Sequence, residues 1–173
     1  MFVCLCIRWQ YVLLAIVLIG FLLPQRMVMP VKGANTTSYH AKSFWYLPWG
    51  KSGVHKGVDI FAKRGVPVLS STDGIVLWTG ELNRGGKIVL VLGTKWRVHY
   101  FAHLNSIDKK MFSFVKVGDR IGTVGDTGNA KGKPPHLHYS IITLFPYLWR
   151  VDRSEQGWKK MFYLNPITYI SKK

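Results

Sequence analysis

Acidic residues are scarce in this chain of 173: eight Asp and Glu stand against 24 Lys and Arg, a formal net charge of +16. Such a surface seeks anionic partners, and nucleic acid, acidic phospholipid and anionic cell-wall polymers all qualify on charge alone. Cysteine is missing beyond position 6, since Cys4 and Cys6 are the only two. That excludes a disulfide scaffold, thiolate metal ligands and a cysteine nucleophile from everything downstream. Neither cysteine follows an apolar signal core, where a lipoprotein signal would place it. Helical periodicity is lacking too. Past the N-terminus no window of helical length sustains a 3.6-residue apolar repeat, although Ser106–Phe112 suits a short helix or turn. No internal repeat recurs at a fixed period, and the length supports one domain with an appendage rather than two cores.

One long apolar run is present. Tyr11–Leu23 (YVLLAIVLIGFLL) is thirteen residues without a break, preceded by MFVCLCI and Arg8. Counted from Phe2, the stretch approaches the roughly 20 residues that span a bilayer. It reads as a signal peptide or a signal anchor. Pro24–Met29 (PQRMVM) contains no small residue for cleavage, and Val31-Lys32-Gly33 is the nearest weak site, which favours a retained anchor. Either way the remainder is expected on the exported side, periplasmic or at the cell surface, held at the cytoplasmic membrane by residues 11–23. The expected division is an anchor or signal peptide over 1–26, a linker over 27–43 whose Pro30–Ser43 is polar and short of large aliphatics, and a domain over 44–173.

Within that domain, short apolar runs alternate with glycine-containing turns. Val66–Ser70, Gly74–Thr79, Lys87–Leu92, Arg97–Ala102 and Arg120–Val124 are rich in Val, Ile, Leu, Trp and Tyr and are bounded by Gly, Asp or Asn. This predicts mainly antiparallel β structure.

PPHLHYS, Pro134–Ser140, places two of the six histidines one residue apart in an apolar setting. Alternate residues of a strand share a face about 6.6 Å apart, so His136 and His138 point one way and Leu137 and Tyr139 the other. A surface hairpin with a histidine-bearing face would read the same. HKGVD adds His55 and Asp59. Four residues on a straight strand span roughly 13 Å, too far for two ligands each about 2 Å from one zinc, so the chain must curve between them. Gly57 makes a bend easy because glycine tolerates backbone angles closed to other residues. Two His and one Asp then form a three-ligand set that leaves a fourth zinc position open, a catalytic rather than structural arrangement. In VHYFAHL, alternation puts His99, Phe101 and His103 on one face, with His99 about 13 Å from His103, so only one of the two histidines reaches the pocket. Spacing does not say which.

HKGVD, YFAHL and GDTGNAKGKPPHLHYSI, in that order with glycine-rich turns between, resemble the lysostaphin-like (LytM-type) zinc endopeptidases that cut peptidoglycan peptides. The resemblance runs from about Trp49 to Ile142 and resumes at Leu164-Asn165-Pro166. It implies a mainly β LytM-type domain, an antiparallel β-sheet or β-sandwich-like fold with short helical turns, beside the one N-terminal hydrophobic helix. It further implies one Zn2+ held by His55, Asp59 and His138, with His103 and His136 as catalytic histidines beside it. One of these would take a proton from water and pass it to the departing amine, and the other would steady the developing oxyanion. Which does which is not implied. His99 matches nothing and is expected to be structural.

The implied substrate is a peptidoglycan peptide, in a cross-link or a stem, with the anionic wall or membrane surface as a further partner. Oligomeric state is not implied. Three departures stand out. The turn GNAKGKPPHLH is longer than usual, Phe101 occupies a place where the family often has tyrosine near the site, and Thr143–Tyr163 is a long aromatic and basic loop. That loop is either a self-packed surface excursion or a contact with an anionic wall or membrane. Two other functions compete. A catalytically silent wall-binding or regulatory module of the same fold would typically have lost ligands, and the set here is intact. A basic nucleic-acid binder would carry a nucleic-acid motif, and none accompanies the charge, so no nucleic-acid partner is expected.

Overall fold

The computed structural model describes residues 2–171, with side chains from Arg8 onward, so the Cys4 and Cys6 side chains lie outside the described residues. The runs of β-branched and aromatic residues become strands. They are β1 (Val58–Phe61), β2 (Pro67–Leu69), β3 (Gly74–Leu82), β4 (Gly86–Gly93), β5 (Arg97–Ile107), β6 (Phe114–Val115), β7 (Arg120–Val124), β8 (His136–Thr143) and β9 (Tyr163–Leu164). All pairings are antiparallel. The described strands form one antiparallel sheet of order β1-β8-β5-β4-β3-β6. β9 lies on β8, and the β2–β7 pair joins through β5. The segment Ser106–Phe112 is not a helix: Ser106 and Ile107 end β5, and a turn follows at Met111 and Phe112.

Strand β5 is the hinge of the architecture. Its residues Arg97–Ala102 pair with β8, whereas Leu104, Ser106 and Ile107 pair with β7. The change of partner falls at His103, whose φ is +63°. A left-handed backbone at a non-glycine residue is uncommon and persists only where its surroundings hold it.

Two α-helices are present among the described residues, α1 (Phe2–Leu22) and the single-turn α2 (Ile167–Ile170). The turn between β4 and β5 grips the end of α1: Trp96 Nε1 donates to the Val17 carbonyl and Lys95 Nζ to the Phe21 carbonyl, each at 2.9 Å. A lysine ammonium is well placed at a helix C-terminus, where the carbonyls leave negative charge. Among the described residues no helix is long and apolar enough to cross a membrane.

Alternation along the strands sends Leu137, Tyr139 and Ile141 of β8, Phe101 of β5, Val89 and Val91 of β4, and Val58 and Ile60 of β1 into one core. The segment expected to be a free linker also contributes to it. Val31 bridges to Val68 and Tyr39 to Ile60, and both are buried. Burying a side chain of that size is worth about 1.5–3 kcal/mol, enough to tie down a segment that is otherwise polar.

His99 lies on this core face. Its Nδ1 is 2.6 Å from Tyr139 Oη and 3.2 Å from Ser71 Oγ, and those two oxygens are 2.6 Å apart. Burial, reinforced by the charge of Arg97, pushes the imidazole down from 6.5 to about 3. The unfolded chain therefore takes up a proton here near pH 6.5 that the folded chain refuses until about pH 3. Through that window the unfolded state binds more protons, so stability falls with pH by about 1.4 kcal/mol per unit from this residue. Urea unfolding between pH 7 and pH 5 should show the acid slope, and His99→Gln should make it shallower by about one proton.

Candidate active site

Strand register creates the site. In the β1–β8 pair Asp59 lies opposite His138, and Phe61 opposite His136. His55 precedes β1, and its backbone is fixed to the preceding loop by Trp45 N to His55 O and His55 N to Tyr46 O, at 2.7 and 3.0 Å. Gly57 is required here for space rather than for backbone angle. A Cβ at that position would lie 2.5 Å from Tyr139 O and Ser140 Oγ and 2.9 Å from His138 Nε2.

These constraints bring His55 Nε2 to 3.1 Å from Asp59 Oδ1 and 3.1 Å from His138 Nδ1, with His138 Nδ1 at 2.7 Å from Asp59 Oδ1. His55, Asp59 and His138 are thus a group whose donor atoms all lie within 4.8 Å of one another. His55 Nδ1 donates to Ser43 O at 2.9 Å, so in the neutral ring Nε2 is a bare lone pair. A proton on His138 Nε2, donated to Ser140 Oγ at 3.0 Å, leaves Nδ1 bare as well. Two nitrogen lone pairs and a carboxylate oxygen then face one point, an arrangement that calls for a cation. Neighbouring ligands of a tetrahedral zinc with bonds near 2.0–2.1 Å lie roughly 3.3 Å apart, so the donor set fits that metal. Burial favours the neutral Asp59 carboxyl, but the His138 and His55 imidazoles set against it outweigh burial and hold the group well below the usual carboxylate range. Burial lowers the pKa of His138, against the opposing pull of Asp59.

Two further histidines stand beside this group. His136 Nδ1 donates to Pro134 O at 2.8 Å and His103 Nδ1 to Thr127 O at 2.9 Å, which leaves Nε2 of each free to accept a proton. Their ring centroids are 5.0 Å apart, and that of His103 lies 6.0 Å from that of His138. Burial, then the nearby His138 and His136, pushes the His103 imidazole down to about 4. Simple alternation would have sent His103 into the core with Phe101. The left-handed turn at His103 reverses it, so Tyr100, Ala102 and His103 all line the groove while His99 and Phe101 stay beneath. Phe101 therefore removes no hydroxyl from the site: it is wholly buried, 5.1 Å from the Tyr139 ring, and Tyr100 is the phenol at the groove.

The groove, about 940 Å³, has β8 and β5 as its floor. The loop before β1 forms one wall, and the β3–β4 hairpin with the loop before β8 forms the other. Trp49 stacks on His55 with centroids 4.0 Å apart, and the long loop after β8 braces the same wall through Gln156 Nε2 to Ser52 O at 3.0 Å. Sequence reasoning missed Trp49, Ser43, Thr127 and Ser140. Only Ser140 had a signal, its place two residues beyond His138 on the same face. The others act across loops.

Peptidase family M23 is the family whose pattern matches residues 53–148, more than half of the chain. The chain is 40% identical over 114 residues to the L-Ala–D-Glu endopeptidase of Bacillus subtilis, covering 61% of this chain and 35% of that one. It is 33% identical over 115 residues to the glycyl-glycine endopeptidase ALE-1 of Staphylococcus capitis, covering 64% and 31%. The chain thus spans about a third of the length of these curated relatives. The catalytic domain of lysostaphin from Staphylococcus simulans superposes with a TM-score of 0.63 at 24% identity, over 79% of this chain and 95% of that domain, a likeness of fold. The family pattern takes in both histidine motifs and every strand of the groove floor, and the chain belongs to peptidase family M23.

Proposed function

We propose that this chain is a zinc endopeptidase that hydrolyses peptide bonds of bacterial peptidoglycan, in cross-links or stem peptides. The observation that carries the reading is the convergence of His55 Nε2, Asp59 Oδ1 and His138 Nδ1 on one point at the floor of an open groove. Zinc held by those three residues would supply a Lewis acid and bring the pKa of a water near 7. The rest falls to the chain. Ser43 O fixes the tautomer and ring of His55, and Ser140 does the same for His138. Trp49 covers one face of the His55 ring and keeps water from it. His136 and His103, each held through Nδ1, present Nε2 to the groove. One receives the proton of the attacking water at Nε2 and returns it to the departing amine, while the other, in its imidazolium form with a proton on Nε2, donates to the oxyanion.

The same reading places the domain outside the cytoplasmic membrane, tethered through residues 11–23. The apolar run Tyr11–Leu23 supports this, and the exposed Leu148, Trp149 and Trp158 of the long loop offer a contact with an anionic wall or membrane surface. Isolated sacculi incubated with zinc-loaded full chain should release soluble peptide fragments whose masses identify the bond cut. Sacculi left intact by the zinc-loaded chain would overturn the proposal.

A further inference from the structure

The groove is lined by four cations and a single acid. Lys51 and Lys56 stand on the wall before β1, Arg84 on the β3–β4 hairpin and Lys133 on the loop before β8. Asp59, grouped with His55 and His138, is the only one of the chain's eight acidic residues in the lining. Elsewhere on the surface, cations meet acids: Arg64 with Asp126, Lys109 with Asp119, Arg120 with Asp108 and Lys160 with Asp152. Among the described residues none of the four groove cations has such a partner. Lys56 Nζ is turned onto the Ser52 and Val54 carbonyls at 3.0 and 3.4 Å, which fixes its position without neutralising it. Positive charge therefore flanks the floor on both walls, and a concave site focuses such a field.

We propose that these cations select peptides whose own carboxyl groups are free, against otherwise identical peptides in which they are amidated and against uncharged glycine bridges. The inference rests on the endopeptidase reading for the occupant of the groove, and adds the chemistry that occupant must carry. A peptide lying across the floor passes between Lys51 and Lys56 on one side and Arg84 and Lys133 on the other, so carboxylates on either side of the scissile bond meet a counter-charge. Each partly exposed pair contributes modestly, and together they give a preference of about tenfold that salt diminishes.

The test uses the zinc-loaded full chain carrying His136→Ala, whose slowed turnover spares both peptides over the time of a titration, and two peptidoglycan peptides differing only in free or amidated carboxyls. Calorimetry at low salt should show the free-acid peptide binding about tenfold tighter. Arg84→Gln with Lys133→Gln, both at exposed positions, should reduce the ratio to within about twofold. Lys110→Gln with Lys116→Gln, equally exposed and flanking β6 away from the groove, should leave it unchanged. Equal affinity for the two peptides, or equal loss in the two double variants, overturns the inference. Should circular dichroism show His136→Ala misfolded, the ratio of kcat/KM for the two peptides in the otherwise native chain decides it by the same criteria. Preference for the free acid in binding, with neither peptide cut by the zinc-loaded chain that keeps His136, sinks the endopeptidase reading and leaves the selectivity standing.

Discussion

His138→Ala is expected to abolish both zinc binding and peptide release. His138 lies opposite Asp59 in the β1–β8 register and supplies one of three converging donor atoms, with no other nitrogen of β8 placed to replace it. His136, two residues earlier, is 3.9 Å from Asp59 through Nε2 and has its Nδ1 committed to Pro134 O. Loss of a residue that merely orients a ligand costs about 10–100-fold in metal affinity, so loss of a ligand should exceed 100-fold. Asp59→Ala should behave alike, and its remaining histidines would face each other without the carboxylate that balances a divalent cation. Metal analysis after dialysis and release of fragments from sacculi check both variants. Circular dichroism guards against misfolding, since both side chains sit within the sheet. Cleavage at the native rate by either variant would dispose of the proposed metal site.

His136→Ala and His103→Ala should part these two properties. Neither ring contributes to the three-atom cluster, so bound zinc should stay near one per chain. Turnover should fall by about 10²–10⁴-fold, the usual contribution of a positioned acid or base. The carbonyls of Pro134 and Thr127 explain why both rings are ready for the role: each accepts a hydrogen bond from Nδ1–H and turns Nε2 toward the groove. The expected signature is a fall in kcat with zinc content unchanged, read on one preparation by metal analysis and by the rate on a defined muropeptide. Zinc lost together with activity would instead make these residues structural supports of the ligands.

Much of this site was legible because strand alternation is a local rule. It puts His136 and His138 on one face and Leu137 and Tyr139 on the other, and the fold obeys it. The same rule put His103 on one face with His99 and Phe101 and left open which histidine reaches the pocket. It presumes an unbroken strand, and β5 has a left-handed residue at the point where it exchanges β8 for β7. No pattern of hydrophobicity announces such a kink. Gly57 was legible only as easing a bend, whereas the pressure on it comes from His138, Tyr139 and Ser140 across the sheet, contacts made 81 to 83 residues away in sequence. Val31 and Tyr39 were lost in a polar segment because burial of single side chains leaves no period to read. Trp49 and Ser43 shape the His55 environment from loops, where only the folded chain brings them near.

The central claim is that peptide cleavage depends on a metal held by His55, Asp59 and His138. Its most direct test is a zinc titration of chelated full chain in which bound metal and fragments released from sacculi are measured on the same samples. Both should rise together and level off near one zinc per chain. Fragments released by zinc-free chain, or a full complement of zinc with no release, would contradict the account.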